Sequence, residues 1–180
     1  MNKQFFVLST ICIIFLLSAC GNDDDNFNVL FFTEELSTLT NVKEMEELIT
    51  DSVPAIDEEK FSVIFHVASP EKLMVEIGGH QGDLIVVDER LLASAINPNG
   101  LYPLDNIAPL GIKETMSEPH IQKDPDTEES RIYALPITNE AKVVRELGLD
   151  LEVEIAGFVP VYVDDEALSI DLMEYLTRQE

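Results

Sequence analysis

The chain has 180 residues, 11 Lys and Arg against 35 Asp and Glu, a formal charge of -24 and a hydrophobic share of 46%. That length suits one domain, and the apolar share is too high for a disordered acidic tail. No electrostatic binding to nucleic acid or to anionic lipid is expected, because phosphate contacts depend on Lys and Arg.

Met1, Asn2, Lys3 and Gln4 make a short positive start, and residues 5–17 carry no charge. An apolar run of that length fits a signal peptide and falls short of the roughly 20 residues a helix needs to cross a bilayer. The run ends in Leu17-Ser18-Ala19-Cys20. A small residue before a cysteine resembles the lipobox of bacterial lipoproteins, where cleavage precedes the Cys and its thiol receives a diacylglyceryl group. A plain secretory signal beside a chance Cys and an uncleaved span are the other two readings. The resemblance implies a signal peptide over residues 1–19 and lipidation at Cys20. Residues 20–28 then form a lipid-anchored tether, of which 21–28 reach at most about 28 Å at about 3.5 Å per residue. Two acyl chains, with each buried CH₂ contributing about 0.8 kcal/mol, give a stable anchor. The expected location is the outer face of the cell membrane of a Gram-positive-type host. Cys12 leaves with the signal and Cys20 is alkylated, so no thiol remains for a disulfide or a Cys-based zinc site.

Short apolar runs then alternate with amphipathic stretches over residues 29–180, the pattern of one α/β domain with a mostly parallel sheet flanked by helices. Val29, Leu30, Phe31 and Phe32 make the first strand. Asn41 is placed to cap a helix whose apolar face is Val42, Met45, Leu48 and Ile49, with Glu44 completing a capping-box-like pair. Residues 61–67 form the second strand. Ser69 as N-cap, Pro70 at the first helical position and Glu71 in the first turn start the next helix, which Gly78 and Gly79 stop. Leu84, Ile85, Val86 and Val87 read as a central strand, apolar on both faces, with Asp88 and Glu89 opening a helix to about Ile96. After a turn at Asn97-Pro98-Asn99-Gly100, residues 117–130 are acidic and aperiodic and read as an exposed loop. A strand over 131–137 follows, then a helix capped by Asn139 and ended by Gly148, a strand over about 153–163, and a terminal helix over 166–177. That last helix carries Leu168, Leu172 and Leu176 on one face, with Asp164 or Asp165 as cap.

The run from Glu71-Lys72-Leu73 through Gly82-Asp83-Leu84-Ile85-Val86-Val87-Asp88 to Gly100-Leu101-Tyr102-Pro103-Leu104-Asp105 resembles the first lobe of the extracellular solute-binding proteins of ABC importers, of the periplasmic-binding-protein-like II type. Ile132-Tyr133-Ala134-Leu135-Pro136, and Val159-Pro160-Val161-Tyr162 on through Ala167 to Tyr175-Leu176, are similar to later parts of that lobe. The resemblance implies a solute-binding-like α/β lobe associated with a membrane transporter. Its members clamp solute between two lobes, whereas this chain has the length of one. A single lobe leaves one side of a ligand open, short of the 70–90% burial usual for small ligands. The chain has no Trp, so Tyr102, Tyr133 and Phe65 are its candidate stacking surfaces.

In open parallel sheets ligands gather beyond the carboxyl ends of the strands. Those ends nominate Thr33, Glu34, Ser69, Asp88, Glu89 and Tyr133 as ligand-binding residues, against the plainer reading that Ser69 and Asp88 cap helices and Thr33 begins a turn. His66 beside a strand end is a candidate pH-sensing or ligand contact, or else a partly buried strand residue. His80 and His120 make no two-His metal spacing with it. Asp124, Asp126 and Glu128 alternate like the start of a calcium segment but lack the required Gly and terminal Glu, so they read as solvated surface. No nucleophile elbow, phosphate loop or His-Glu-x-x-His helix is present. The expectation is a non-enzymatic binding or protein-interaction module with no cofactor and no metal, whose partner is a transporter, another surface protein or a small solute. The alternatives are an enzyme using Asp88 with Glu34, and a structural lipoprotein whose acidic loop binds cations or cell-wall material.

Overall fold

The computed structural model describes residues 26–179. The expected signal peptide, Cys20 and most of the tether lie outside the described residues. The strands are β1 (Phe27–Phe32), β2 (Phe61–His66), β3 (Leu84–Asp88), β4 (Ile121–Lys123), β5 (Ser130–Ile132), β6 (Leu135–Ile137) and β7 (Ile155–Phe158). The helices are α1 (Glu34–Leu39), α2 (Val42–Ser52), α3 (Pro70–Gly78), α4 (Glu89–Ala95), α5 (Lys142–Glu146) and α6 (Glu166–Thr177). Five strands form the main sheet in the order β2-β1-β3-β7-β6. β1 pairs in parallel with β2 and β3, and β7 lies antiparallel between β3 and β6. Four of the five strands therefore point the same way, and the fold is the expected α/β domain.

Period-2 alternation divides the core into two layers. Val29 and Phe31 of β1 and Leu84 and Val86 of β3 face one side, where Met45 and Ile49 of α2, Val143 and Val144 of α5, and Leu172, Met173 and Leu176 of α6 cover them. Leu30, Phe32, Ile85 and Val87 face the other, against Leu73 of α3 and Leu91, Leu92 and Ala95 of α4. All five residues of β3 are buried because it is central and covered on both faces. From β1 the chain crosses one way to β2, and from β2 it crosses back over β1 to β3. Parallel crossovers of one hand moving in opposite directions put their helices on opposite faces, as α2 and α3 are here.

Two glycines hold this arrangement close. Gly82 has φ +82°, and a Cβ there would stand 2.6 Å from Leu30 Cγ. Beside it Asp83 clamps the start of β3 to β1, its N–H donating to Asn28 O and its Oδ2 accepting from Asn28 N–H, both at 2.8 Å. A Cβ on Gly157 would stand 2.7 Å from Met173 Sδ, so glycine lets α6 pack directly on β7.

Several expectations are corrected. α1 is a helix the sequence did not signal; its Ser37 and Thr38 are weak helix formers whose hydroxyls bond back to Glu34 O and Glu35 O. Asn41 caps α2, accepting from Lys43 N–H, but Val42 stays at the surface. Residues 117–130 are not an aperiodic loop. β4 pairs with β5 as a small hairpin, closed where Asp124 Oδ1 accepts from the N–H groups of Asp126 and Thr127. Strands of three residues are too short to show a period. The strand expected over 131–137 is two, because Tyr133 and Ala134 bond to His120 rather than to a neighbouring strand. Asn139 does not cap α5; its amide instead bonds Asp150 and Leu151, and the helix begins after Ala141. The strand expected over 153–163 is confined to Ile155–Phe158. α6 spans its expected residues, capped by Asp165 at Leu168 N–H.

Candidate functional site

With the order β2-β1-β3, the chain leaves β1 toward one side of the sheet and arrives at β3 on the other, so the two strand ends part and leave a crevice between them. The last registered pair is Phe32 with Val87. One residue on, Thr33 and Asp88 stand side by side, followed by Glu34 and Glu89. Four of the six nominated residues are thus brought to one place by the crossing of the chain.

Both Thr33 and Asp88 are buried, at 0% and 2% exposure. Both are N-cap residues by position, of α1 and α4, and neither side chain makes the capping hydrogen bond. Thr33 Oγ1 and Asp88 Oδ1 have no hydrogen-bond partner. A buried polar atom left so costs about 1–3 kcal/mol. Burial raises the Asp88 pKa above the ordinary carboxylate value; the nearby Arg90 opposes this, the Glu34 carboxylate reinforces it, and the Glu34 backbone N–H weakly opposes it. Arg90 Nη2 lies 3.0 Å from Asp88 Oδ2 and 3.5 Å from Glu34 Oε2. A cleft of about 340 Å³ opens at Asp88 and Arg90, walled by Glu34, Glu35, Asp88, Arg90, Glu152 and Val153, with Thr33 buried behind that lining. Glu35 fixes the far wall, its two carboxylate oxygens accepting from the N–H groups of Glu152 and Val153 at 2.8 and 2.9 Å.

Glu152 and Val153 also line a larger cleft of about 720 Å³, between the β3 end, the 112–120 segment and the 136–140 turn. Glu89 lies in its wall and accepts from His120, whose Nε2 is 2.9 Å from Glu89 Oε1 and whose Nδ1 is 3.1 Å from Ala134 O. Sequence reading missed His120 and Glu35 as site residues. His120 is 31 positions from Glu89 and reaches it only through the β4–β5 hairpin, which left no pattern to read.

The other nominated residues lie elsewhere. Ser69 caps α3, accepting from Lys72 N–H and bonding the Glu71 carboxylate. Tyr133 is buried with its hydroxyl 3.2 Å from Asp124 Oδ2, and burial with that carboxylate pushes its pKa up to about 12. Tyr133 therefore faces the hairpin. His66 packs its ring on Phe32 at 4.9 Å, and burial, then Lys72, lowers its pKa. Phe65 packs on Phe31, leaving neither as an open stacking platform. Asp124 is occupied by its own turn, and among the described residues no group of three or more His, Cys, Asp and Glu is placed to hold a metal. Among the described residues no helix is long and apolar enough to cross a membrane.

Comparison with known proteins gives one informative likeness. The chain is 25% identical over 172 residues to the Bacillus subtilis (strain 168) protein named "Putative lipoprotein YteS". The alignment covers 95% of this chain and 94% of that protein. The two are therefore of matching extent. No protein-family model matches the chain, and no solved structure matches it.

Proposed function

We propose that the protein is a lipoprotein held through diacylglyceryl-Cys20 on the outer face of the cell membrane, working as a non-enzymatic binding lobe. Its ligand sits in the cleft beyond β1 and β3. The observation that carries this reading is the pair of buried, unpartnered atoms at the strand-crossing point, Thr33 Oγ1 and Asp88 Oδ1. Buried polar atoms are nearly always satisfied, and an exception calls for a physical reason. A ligand that bonds them supplies one.

Three further features support it. The N-terminal lipobox agrees with the name of the Bacillus relative. The Gly82-Asp83 entry into a fully buried β3, on which the likeness to solute-binding proteins partly rests, acts as a clamp between two parallel strands. Two clefts that share the wall of Glu152 and Val153 offer room for a small solute or for a segment of a transporter or surface protein.

Two measurements test the reading. Radiolabelled palmitate is expected to enter the wild-type chain and not the Cys20→Ser variant. In ¹⁵N-labelled full chain, a ligand found by screening sugars, peptides and transporter segments is expected to shift the amides of Thr33, Glu34, Asp88 and Val153. A ligand that shifts instead the opposite end of the sheet, around Asp83 and Tyr162, contradicts the site.

A further inference from the structure

The cleft beyond β1 and β3 has a charge pattern that its ligand must answer. Glu34, Glu35, Asp88 and Glu152 line it, and Arg90 is the one basic residue in that lining among the described residues. A group of acids alone would say little, since this chain is acidic everywhere. Here, however, one of the acids is 2% exposed and has an oxygen with no partner, next to a fully buried hydroxyl with none. Such a carboxylate asks for a positively charged hydrogen-bond donor.

Arg90 partly answers that demand. Its guanidinium touches Asp88 Oδ2 and Glu34 Oε2 through a single nitrogen, Nη2, and its side chain is 56% exposed. It leaves Asp88 Oδ1 and Thr33 Oγ1 unsatisfied. Its pair with Glu34 is exposed on both sides and weak, whereas its pair with Asp88 is exposed on the arginine side only.

We propose that Asp88 and Glu34, with Thr33 buried behind them, form a seat for a guanidinium cation, and that Arg90 is an internal stand-in that the ligand's cation displaces. The inference rests on the cleft being the binding site and adds the chemical class of what enters it. The cation belongs either to a free solute or to a basic side chain presented by a polypeptide. No aromatic ring lines the cleft to favour a neutral stacked ligand: Phe65 packs on Phe31, Tyr133 lies within the core, and the half-buried Tyr102 is outside the lining.

The test uses the ¹⁵N-labelled full chain in non-ionic detergent. It is titrated with methylguanidinium, with an acetylated and amidated Gly-Arg-Gly peptide, and with methylurea as the neutral isostere. Either cation is expected to shift the Thr33, Glu34 and Asp88 amides saturably, with methylurea silent. Arg90→Ala is expected to tighten binding by about two- to fivefold, because an internal competitor for the seat is gone. Glu34→Gln, at an exposed position that does not threaten folding, is expected to weaken it by about twofold or more. Binding of methylguanidinium identifies a free solute cation as sufficient; binding of the peptide alone identifies a polypeptide source. Equal response to methylurea, weaker binding by Arg90→Ala, or no saturable shift from either cation overturns the proposal. A neutral solute that moves the same amides while both cations are silent overturns the cation assignment and leaves the cleft standing as the site.

Discussion

Ser69 and Asp88 stand in the same local position, one residue ahead of a helix at the carboxyl end of a parallel strand, and Thr33 makes a third. At the edge strand β2 the position is used as its residue type suggests. Ser69 is partly exposed, and its oxygen accepts from Lys72 N–H and starts α3. At the two central strands the same kind of residue is buried and caps nothing. Helix capping accounts for Ser69 and leaves Thr33 and Asp88 unexplained. The difference separates a residue kept for folding from residues whose polar atoms burden the fold.

That contrast is open to direct attack by substitution. The largest effect is expected from Thr33→Val, which keeps the shape, removes the unpaired hydroxyl and should raise unfolding stability by about 1–3 kcal/mol in urea; a loss of stability would mean that the hydroxyl has a structural partner. Asp88→Asn comes next, with a gain of up to about 1 kcal/mol at pH 7, since it removes the buried charge but keeps a polar amide and loses the ion pair to Arg90. Its size depends on pH. Burial raises the folded-state pKa of Asp88, so that group favours folding below its ordinary value of 3.8 and loses the benefit as pH rises through the raised value. The advantage of Asn should therefore shrink as pH falls toward 3.8, and a constant advantage across pH would contradict the burial argument. Ser69→Ala is expected to lose about 1 kcal/mol, opposite in sign. The smallest effect is that of Glu35→Ala, where hydrogen exchange of the Glu152 and Val153 amides should quicken severalfold with little change in global stability.

Much of the fold was legible because burial and periodicity agree in its long elements. β3 reads as a central strand from four consecutive aliphatics, and α6 was bounded correctly by Asp165 and its Leu172–Leu176 face. Short elements were not legible. α1 has only six residues, two of them the weak helix formers Ser37 and Thr38, and β4, β5 and β6 have three residues each, too few to show a period. The antiparallel placement of β7 was also invisible, because its buried Ile155–Phe158 run looks the same in either direction. The site was half legible. Strand ends gave Thr33, Glu34, Asp88 and Glu89, while His120 and Glu35 depend on contacts that only tertiary structure makes.

The central claim is that Thr33 and Asp88 are retained for a ligand and against the stability of the empty fold. The urea midpoint of the full-length double variant Thr33→Val/Asp88→Asn at neutral pH tests it most directly. The account predicts a midpoint above that of the unsubstituted chain at an unchanged denaturant slope. A midpoint below it would show that both side chains hold the structure together, and the strand-crossing cleft would lose its claim to be the binding site.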